Sequence, residues 1–212
     1  MKHLIIIGAG GYGREMFGAA REAVGYGTEF DIKGYLDGRP DALAGFAGYP
    51  PVIGSPETYV PQPDDVFITA LGNLDSRRRC AAAVESRGGR FIPIVHRTAY
   101  LGPNVIVGDG SFIAHNVVLT ADVRIGRHAV VFYNSMIGHD GVLGDYTHVY
   151  ALCSLGGSVR LGEGAAVYPG AVVLPRLTIG ENATVGAGST VISSVPPGVT
   201  VFGSPAVKIK SA

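Results

Sequence analysis

A histidine stands directly beside a carboxylate in the stretch NSMIGHDGVLG, which spans Asn134–Gly144. Near pH 7 a neutral imidazole such as that of His139 can take a proton from a reacting group. The adjacent Asp140 can orient the ring by accepting a hydrogen bond from its other nitrogen. The pair therefore has the residue types of a general base and its orienting acid. The competing interpretation is a polar pair that fills a turn.

Residue type alone does not single out His139, because the chain has six histidines. For any one of them, ordinary hydrogen bonding at a surface or an interface is an adequate explanation. No pair has the His-xxx-His spacing that places two zinc ligands on one helix face, so no metal site is predicted. The other histidines are His3, His96, His115, His128 and His148.

Nucleophilic catalysis has little support in the sequence. No GxSxG segment is present, so a serine on a strained strand-to-helix turn is not predicted. Cys80 and Cys153 stand alone in apolar surroundings, which predicts two buried free thiols in a reducing cytoplasm. Direct transfer of a group to an acceptor is the simpler chemistry, although Cys153 leaves a covalent intermediate formally open.

A glycine-rich segment near the N-terminus has the pattern of a phosphate-binding turn. Gly8-Ala9-Gly10-Gly11-Tyr12-Gly13 follows the apolar run Leu4–Ile7 and satisfies G-x-G-x-x-G. The helix predicted to follow would present its N-terminus to a phosphate, and Asp37 holds the place of the acidic residue that contacts a ribose. The segment is compatible with NAD, with another nucleotide ligand, and with a turn that only packs a helix on a strand.

The bulk composition excludes several classes of partner. The chain has 212 residues, and its 17 basic and 17 acidic side chains cancel. This balance predicts no general attraction to nucleic acid or to an anionic membrane. No apolar run approaches the roughly 18 residues of a membrane span, and the N-terminal run is too short for a signal peptide. A soluble cytoplasmic protein is expected.

Residues 1–95 have the pattern of an α/β domain. The order strand, Gly-rich turn and helix begins a βαβ unit, which predicts a Rossmann-like domain over this half. The predicted strands are Leu4–Ile7, Ile32–Leu36, Val66–Leu71 and Phe91–Val95, and the predicted helices are Arg14–Ala23 and Ser76–Arg87.

From Leu101 onward, aliphatic residues recur at every sixth position, sixteen times without an insertion. This period fits neither a helix nor an extended strand, but it fits short strands separated by tight turns and stacked as a solenoid. Three hexads per triangular coil would give about five coils over residues 101–190. We therefore predict a parallel β-helix domain over residues 96–198 and a C-terminal tail over residues 199–212. The sixteen residues are Leu101, Val107, Ile113, Leu119, Ile125, Val131, Ile137, Leu143, Val149, Leu155, Leu161, Val167, Val173, Ile179, Val185 and Val191.

The hexads also predict which side chains face inward. The aliphatic residue and the residue four positions later should fill the interior, and the Gly that often follows the aliphatic residue should relieve φ restrictions at the corners. Val195-Pro196-Pro197-Gly198 is expected to stop the stack, and the tail is expected to cover its end or flank. Apolar residues at outward positions, among them Val118, Met136 and Val172, predict self-association, and three flat sides favour a threefold oligomer.

The whole chain resembles the hexapeptide-repeat sugar O/N-acyltransferases, which include bacterial sialic acid O-acetyltransferases and acetyltransferases of UDP-linked 4-amino sugars. Four motifs occur in the family's order over nearly the full length, and the ending Gly203-Ser204-Pro205-Ala206 is also similar. The motifs are Ile7-Gly8-Ala9-Gly10-Gly11-Tyr12-Gly13, Gly34-Tyr35-Leu36-Asp37, Ala70-Leu71-Gly72-Asn73 with Arg77 downstream, and Ile137-Gly138-His139-Asp140.

The resemblance implies a fold, a reaction and a set of reacting residues. The solenoid would be a left-handed β-helix in a homotrimer. The chain would transfer acetyl from acetyl-CoA to the amino or hydroxyl group of a nucleotide-activated sugar in bacterial surface-glycan biosynthesis. His139 would be the general base, with Asp140 as its orienting acid. His148 would lie near the acetyl group and polarise its carbonyl.

The resemblance also implies where the two substrates bind. The Gly-rich loop would hold the acceptor, and CoA would lie in a groove between subunits, with Lys208 and Lys210 near its phosphates. Tyr12 departs from the family, because members that act on UDP-amino sugars commonly have His there. The implied acceptor-binding residues are Gly10, Gly11, Tyr12, Gly13, Asp37, Asn73 and Arg77, and the implied cofactor-binding residues are Gly156, Ala171, Gly186, Pro205 and Lys208.

Two other functions are compatible with the same residues. A non-catalytic trimeric scaffold, whose α/β half senses a nucleotide, would have the same fold. NAD-linked chemistry would use the Gly-rich loop, but the chain has no substrate domain of the usual kind. The identity of the sugar, the choice between N- and O-transfer and the length of the acyl group stay open at this stage.

Overall fold

The computed structural model describes residues 1–211, with side chains described as far as Ile209. The chain forms two compact units, Met1–Arg97 and a second unit that begins at Thr98. The first unit is α/β and the second is a parallel β-helix, so the predicted fold class is confirmed.

The first unit contains a parallel sheet with the strand order β3-β2-β1-β4-β5. Its central strand β1 (Lys2–Ile7) ends in four aliphatic residues without exposed surface, as expected for a strand covered on both faces. The strand order reverses between β1 and β4, and sheets of this kind bind ligands outside the carboxyl ends of the strands at that point. The other elements are α1 (Gly11–Arg21), β2 (Phe30–Leu36), β3 (Val52–Gly54), β4 (Asp65–Thr69), α2 (Leu74–Glu85), β5 (Arg90–Phe91) and β6 (Ile94–Val95).

Three elements of the first unit differ from the prediction, and one of them is the predicted strand Phe91–Val95, which forms two short strands, β5 and β6. Helix α1 begins at Gly11 and not at Arg14, so the last glycines of the Gly-rich segment form its first turn. Packing overrides the poor helix propensity of glycine here, because a side chain at Gly13 would collide with the carbonyl oxygen of Gly8. The short strand β3 was not predicted, since the three residues Val52–Gly54 are too few to show an alternation of apolar and polar side chains.

From Tyr100 to Val191 the second unit is a stack of two-residue strands on three faces, in which each strand pairs in parallel with the strand eighteen residues away. Leu119, for example, pairs with Ile137, and Ile125 pairs with Leu143. Three hexads per coil are therefore confirmed, whereas the left hand of the coil stays an implication of the resemblance. The side chains of the periodic aliphatic residues from Ile113 to Val191 are buried in the interior.

We number the faces of the solenoid I, II and III in chain order. Face I consists of β7 (Tyr100–Leu101), β10 (Val118–Leu119), β13 (Met136–Ile137), β16 (Ser154–Leu155), β19 (Val172–Val173) and β22 (Thr190–Val191). Face II consists of β8 (Ile106–Val107), β11 (Arg124–Ile125), β14 (Val142–Leu143), β17 (Arg160–Leu161) and β20 (Thr178–Ile179). Face III includes β9 (Phe112–Ile113), β12 (Val130–Val131), β15 (His148–Val149), β18 (Ala166–Val167), β21 (Thr184–Val185), β23 (Val199–Phe202) and the antiparallel β24 (Val207–Ser211).

The prediction that glycine relieves φ restrictions at the solenoid corners is wrong for the glycines that follow the aliphatic residues. The residue with positive φ stands three positions after the aliphatic residue, and eleven such positions have a non-glycine residue with φ between 52° and 64°. The glycines that directly follow the aliphatic residue have ordinary φ, and a different constraint applies to them. A Cβ at Gly138 would lie 2.5 Å from the backbone nitrogen of Gly157 in the next coil, so glycine permits close stacking of the corners.

The C-terminal end of the stack also differs from the prediction. Val195-Pro196-Pro197-Gly198 does not stop the stack, because Val195 forms a parallel bridge to Ile179 and β23 pairs in parallel with β21. Strand β24 then turns back and pairs with β23 in antiparallel register. The segment predicted as a covering tail thus continues face III, first as β23 and then as the antiparallel edge strand β24.

Candidate functional site

His139 occupies the corner between faces I and II, directly after strand β13. Backbone hydrogen bonds attach this corner to the coils on both sides. The N–H of Ser158 donates to the carbonyl of His139 at 2.7 Å, and the N–H of Asp140 donates to the carbonyl of Ala121 at 3.0 Å. Asp140 adopts φ 59°, a conformation that Asp tolerates better than most residues. The fold therefore holds the main chain on which the His-Asp pair stands.

The imidazole and the carboxylate interact directly. Nδ1 of His139 lies 2.7 Å from Oδ2 of Asp140, and the two side chains are 68% and 61% exposed. A carboxylate only accepts, so Nδ1–H is the donor and the lone pair of a neutral ring lies on Nε2. The ring thus has the tautomer that a general base needs, at a position that a solute can reach.

His148 lies in a different environment on face III. It is only 5% exposed, and its ring stacks on Tyr150 at 4.0 Å and packs against Phe132 at 5.2 Å. Phe132 also contacts the ring of Phe112, so these aromatic residues cover face III around Val130. Within one chain the structure does not bring His148 and His139 together. His148 lies on face III, whereas His139 lies at the corner of faces I and II, which does not border face III.

Each of the remaining four histidines either stacks on a tyrosine ring or lies beside a carboxylate. His115, which has the same hexad position as His139, stacks on Tyr133 at 4.3 Å. His128 is buried at a corner with φ 54° and stacks on Tyr146 at 4.8 Å. In the first unit His3 pairs with Asp31, and Nε2 of His96 lies 3.6 Å from Oε2 of Glu22. His139 combines a position at a solenoid corner with a hydrogen bond to an exposed carboxylate.

The thiols are not arranged for nucleophilic chemistry. Cys80 and Cys153 are both free and buried. Burial raises the pKa of the Cys153 thiol to about 11, so the nucleophilic thiolate is scarce near neutral pH. The buried position of both residues agrees with the prediction and favours direct transfer over a thiol-bound intermediate.

The glycines of the N-terminal loop have different tasks. Gly8 adopts φ 103°, and a Cβ there would lie 2.8 Å from the carbonyl oxygen of Ala70. Gly13 lies against the Gly8 carbonyl, as described above. In contrast, a Cβ at Gly10 or Gly11 would meet no heavy atom within 4 Å. Packing therefore explains Gly8 and Gly13, whereas Gly10 and Gly11 leave open space beside the N-terminus of α1, where a phosphate would approach.

Asp37 ties the end of β2 to this loop. Its Oδ2 accepts from the N–H of Ala9 at 2.9 Å, and its Oδ1 accepts from the N–H of Arg39 at 2.9 Å. Burial alone would raise the pKa of Asp37, but these hydrogen bonds and the Arg39 guanidinium outweigh it, and the net pKa is lowered. The carboxylate is thus kept ionised at the edge of the crevice.

A cavity of about 190 Å³ opens at the carboxyl ends of β1 and β2. Its lining includes Gly8 and Asp37, which belong to motifs that the sequence analysis identified, and Glu57, Ser76, Arg79 and Cys80, which were not predicted to line a binding site. Ser76, Arg79 and Cys80 stand at positions i, i+3 and i+4 of α2 and therefore share one helix face. That spacing, directly after the Ala70–Asn73 motif, is the sequence signal that could have identified them.

Three of the predicted acceptor residues have contacts within the protein that the sequence did not indicate. Asn73 is the N-cap of α2, where its side chain accepts from the N–H of Ser76 at 2.9 Å. Arg77 is 1% exposed, so its guanidinium is enclosed by the protein, and we leave it out of the proposed acceptor site. Tyr12 is half-buried, and its hydroxyl oxygen is among the buried side-chain atoms.

The predicted cofactor-binding residues border face I. Gly156 lies at the corner of faces I and II, whereas Ala171 and Gly186 belong to the corner of faces III and I. Ala171 is fully buried, and the N–H groups of Gly156 and Gly186 donate to Val173 and Val201 between coils. Phe202 covers Gly186. The backbone N–H groups of the two glycines are therefore occupied by the coil ladder.

The C-terminal cofactor residues are exposed. Pro205 follows a cis peptide bond and lies on the surface, and Lys208 stands on β24 with its side chain exposed. The side chain of Lys210 lies outside the described residues. Among the residues whose side chains the structure describes, no group of three His, Cys, Asp or Glu could hold a metal ion. No helix within residues 1–211 has the length and apolar character that crossing a membrane requires.

Two family models match the chain, one in each unit. Residues 3–84 match the PglD N-terminal domain, and residues 158–193 match the bacterial transferase hexapeptide of six repeats. A UDP-N-acetylbacillosamine N-acetyltransferase from Bacillus subtilis (strain 168) is 32% identical over 117 residues, which are 53% of this chain and 51% of that protein. The chain thus spans about half the length of this curated relative.

Solved structures match over nearly the whole chain. The acetyltransferase domain of PglB from Neisseria gonorrhoeae is 28% identical with a TM-score of 0.89, over 99% of this chain and 100% of that one. PerB from Caulobacter crescentus, in complex with CoA and GDP-perosamine, is 27% identical with a TM-score of 0.87, over 99% of this chain and 98% of that one. The resemblance inferred from the sequence is confirmed: the chain matches the PglD N-terminal domain and the bacterial transferase hexapeptide in its two units, and it has the fold of the acetyltransferase domain of PglB.

Proposed function

We propose that this chain transfers acetyl from acetyl-CoA to the amino or hydroxyl group of a nucleotide-activated sugar, in bacterial surface-glycan biosynthesis. The observation that carries the proposal is the exposed His139–Asp140 pair, with Nδ1 engaged and Nε2 open, on a corner of a hexapeptide solenoid. The relatives support the substrate class, because one acts on a UDP-linked amino sugar and another was solved with CoA and GDP-perosamine.

The reaction uses one base and no covalent enzyme intermediate. Nε2 of His139 takes a proton from the acceptor's nitrogen or oxygen as that atom attacks the thioester carbonyl. The tetrahedral intermediate then collapses, the C–S bond breaks, and the imidazolium returns the proton to the leaving sulfur. Asp140 keeps the ring in the required tautomer and stabilises the imidazolium. The products are the acetylated sugar nucleotide and free CoA thiol.

The acceptor's nucleotide belongs to the first unit. The diphosphate would lie beside Gly10 and Gly11 at the N-terminus of α1, where open space, backbone N–H groups and the helix dipole favour an anion. Asp37, whose carboxylate is held at the end of β2, would accept from ribose hydroxyl groups. The adjoining cavity offers room for the base. These placements follow the crevice at which the strand order reverses.

The second unit would bind the acetyl donor and form the contacts between copies of the chain. We propose a homotrimer in which CoA lies along the solenoid between neighbouring copies, near Gly156, Gly186 and Pro205, with Lys208 beside its phosphates. His148 would reach the acetyl carbonyl from a second copy, since one chain keeps it apart from His139. The exposed apolar residues of face I support self-association, because monomers rarely expose such a surface.

Replacement of His139 tests the proposal. UDP-, GDP-, dTDP- and CMP-sugars are screened with acetyl-CoA, and release of CoA thiol is measured for the wild type and for His139→Ala. The variant should keep its circular dichroism spectrum and lose about 10²–10⁴-fold in kcat, because the general base is missing.

His115→Ala is the matched control, since His115 has the same hexad position but stacks on Tyr133. It should retain transfer within about threefold, the scatter expected when no reacting group is removed. A folded His139→Ala that transfers at the wild-type rate would refute the assignment. If the wild type releases no thiol with any acceptor, and calorimetric titration detects no acetyl-CoA binding, the non-catalytic scaffold is the better explanation.

A further inference from the structure

Gly157 lies directly beneath the imidazole of His139, in the next coil of the solenoid. A Cβ built on Gly157 would lie 2.5 Å from Nε2 of His139, 2.7 Å from Cε1 and 2.9 Å from Cδ2. Protein Cβ atoms essentially never approach another heavy atom this closely. Any side chain at position 157 would therefore force the ring or the backbone to move.

The backbone conformation does not explain this glycine. Gly157 is absent from the residues with positive φ, so an L-residue could adopt its conformation. The same corner position in the other coils carries a side chain, as Pro103, Ala121, Pro175 and Ser193 show. The feature that distinguishes position 157 is the imidazole that rests on it.

The main chain around the ring has little room to yield. A Cβ at Gly138 would lie 2.5 Å from the nitrogen of Gly157, so the two coils already touch through their backbones. The N–H of Ser158 donates to the carbonyl of His139, and that of Arg176 donates to the carbonyl of Gly157. A side chain at position 157 would consequently displace the exposed ring and leave the coils in place.

We propose that Gly157 is a positioning residue for His139: its missing side chain lets the face of the imidazole rest on the next coil, in the position where Asp140 holds Nδ1. Asp140 holds the ring at Nδ1, and Gly157 limits it on the side of Nε2. A methyl group at position 157 would meet the face of the ring around Nε2, so the ring would have to leave this position and its hydrogen bond to Asp140. The seating of the ring is independent of the reaction, whereas its effect on transfer rests on the proposed function.

The seating is tested without substrate. In Gly157→Ala, two-dimensional ¹H–¹⁵N NMR of the ring should show the Nδ1–H tautomer of His139 losing its dominance, because the bond to Asp140 is broken. The melting temperature should fall, and more than half of that loss should be recovered in the double variant His139→Ala/Gly157→Ala, since the colliding ring is gone. An unchanged tautomer, or an equal loss of stability in both backgrounds, would overturn the proposal.

Gly162→Ala supplies the matched control. A Cβ at Gly162 would lie 2.6 Å from the nitrogen of Glu181, so this variant also strains the contact between coils but lies at another corner. It should lower the melting temperature while leaving the tautomer of His139 and the rate of transfer unchanged. A change of the His139 tautomer in this control would show that any strained corner moves the ring, which would also overturn the specific role of Gly157.

Transfer kinetics test the positioning role of Gly157 separately from the role of His139 as the base. Gly157→Ala should lose about 10–10²-fold in kcat, while KM for acetyl-CoA changes little, because a mispositioned base weakens the transition state. In the His139→Ala background the same change should cost no further activity. A displaced ring with an unchanged rate would support the seating but refute His139 as the base. A lower rate with an undisturbed ring would refute the seating.

Discussion

At the scale of single residues, the proposed chemistry depends on two exposed side chains whose main chain is hydrogen-bonded to the neighbouring coils. Most of the side-chain surface of His139 and Asp140 is exposed to solvent. Their backbone is nevertheless fixed, because the carbonyl of His139 and the N–H of Asp140 form hydrogen bonds to the following and preceding coils. A pair on a mobile loop would have to lose conformational entropy in each turnover, and this pair loses little. The corner of a solenoid is thus a suitable place for a base that must be both accessible and fixed.

Asp140→Asn tests the contribution of the carboxylate. The amide would donate to Nδ1 as readily as accept from it, which permits the tautomer with a proton on Nε2 and no lone pair there. We expect kcat to fall about 10–10²-fold. The loss should be smaller than in an enzyme whose His–Asp pair is buried, because water can replace part of the exposed hydrogen bond between Asp140 and His139. Steady-state thiol release at saturating substrates measures the effect.

Asp122→Asn is the control for this change. Asp122 occupies the same corner position one coil earlier, also with positive φ, and its carboxylate accepts from Asn104. Its replacement by Asn should leave transfer unchanged. If Asp140→Asn were as active as the wild type, Asp140 would be a corner residue without a role in orienting the base.

At the scale of secondary-structure elements, glycine serves three separate purposes. In the solenoid it permits corners to stack through their backbones, as at Gly138. In the first unit, Gly8 and Gly13 let the loop and α1 approach each other. Gly10 and Gly11 face open space, where only a ligand would make use of the absent side chain.

Gly11→Ala separates ligand binding from packing. Alanine is the better helix former, so this change in the first turn of α1 should stabilise the protein by up to about 1 kcal/mol. The methyl group would nevertheless stand where the acceptor's phosphate approaches, so KM for the nucleotide sugar should rise about tenfold. Urea unfolding and initial-rate kinetics measure the two effects on the same samples.

Gly18→Ala is the matched control, because Gly18 lies in the same helix and also meets no atom within 4 Å. It should gain the same stability and leave KM for the nucleotide sugar unchanged. Equal KM values for Gly11→Ala, Gly18→Ala and the wild type would place the acceptor away from this helix N-terminus.

At the scale of the whole molecule, the three faces of the solenoid differ in their surface. Face I exposes Tyr100, Met136 and Val172, whereas face II presents the exposed charges of Arg124 and Arg160. Face III is covered in part by its own aromatic residues, which bury Val130. Exposed apolar side chains also occur on the other faces, at Ile106 on face II and at Phe202 and Val207 on face III, but those of face I recur along the stack from Tyr100 to Val172.

Met136→Arg tests whether face I is the contact between copies. Met136 is 40% exposed, and a guanidinium there would be costly to bury in an apolar interface. Light scattering after gel filtration should show a trimer of 22.0 kDa chains for the wild type and smaller species for the variant. The control Arg124→Ala on face II should stay trimeric, and a trimeric Met136→Arg would exclude face I as the interface.

Much of the architecture was readable in the sequence because it is local and repetitive. Sixteen aliphatic residues at a spacing of six define a solenoid through many independent signals, so the error at any one position does not matter. The α/β half was readable from its apolar strands, although β3 was too short to detect. His139 and Asp140 could be named because they are adjacent in the chain.

Only the tertiary structure decided what depends on contacts between distant residues. The buried place of Arg77, the capping role of Asn73 and the aromatic cover of His148 each result from packing that no local pattern encodes. Gly157 shows the same limit, since its constraint comes from a ring eighteen residues earlier. Sequence by itself determined the period of the fold and the pair that we propose as reactive, and stacking of the coils decided which neighbours that pair has.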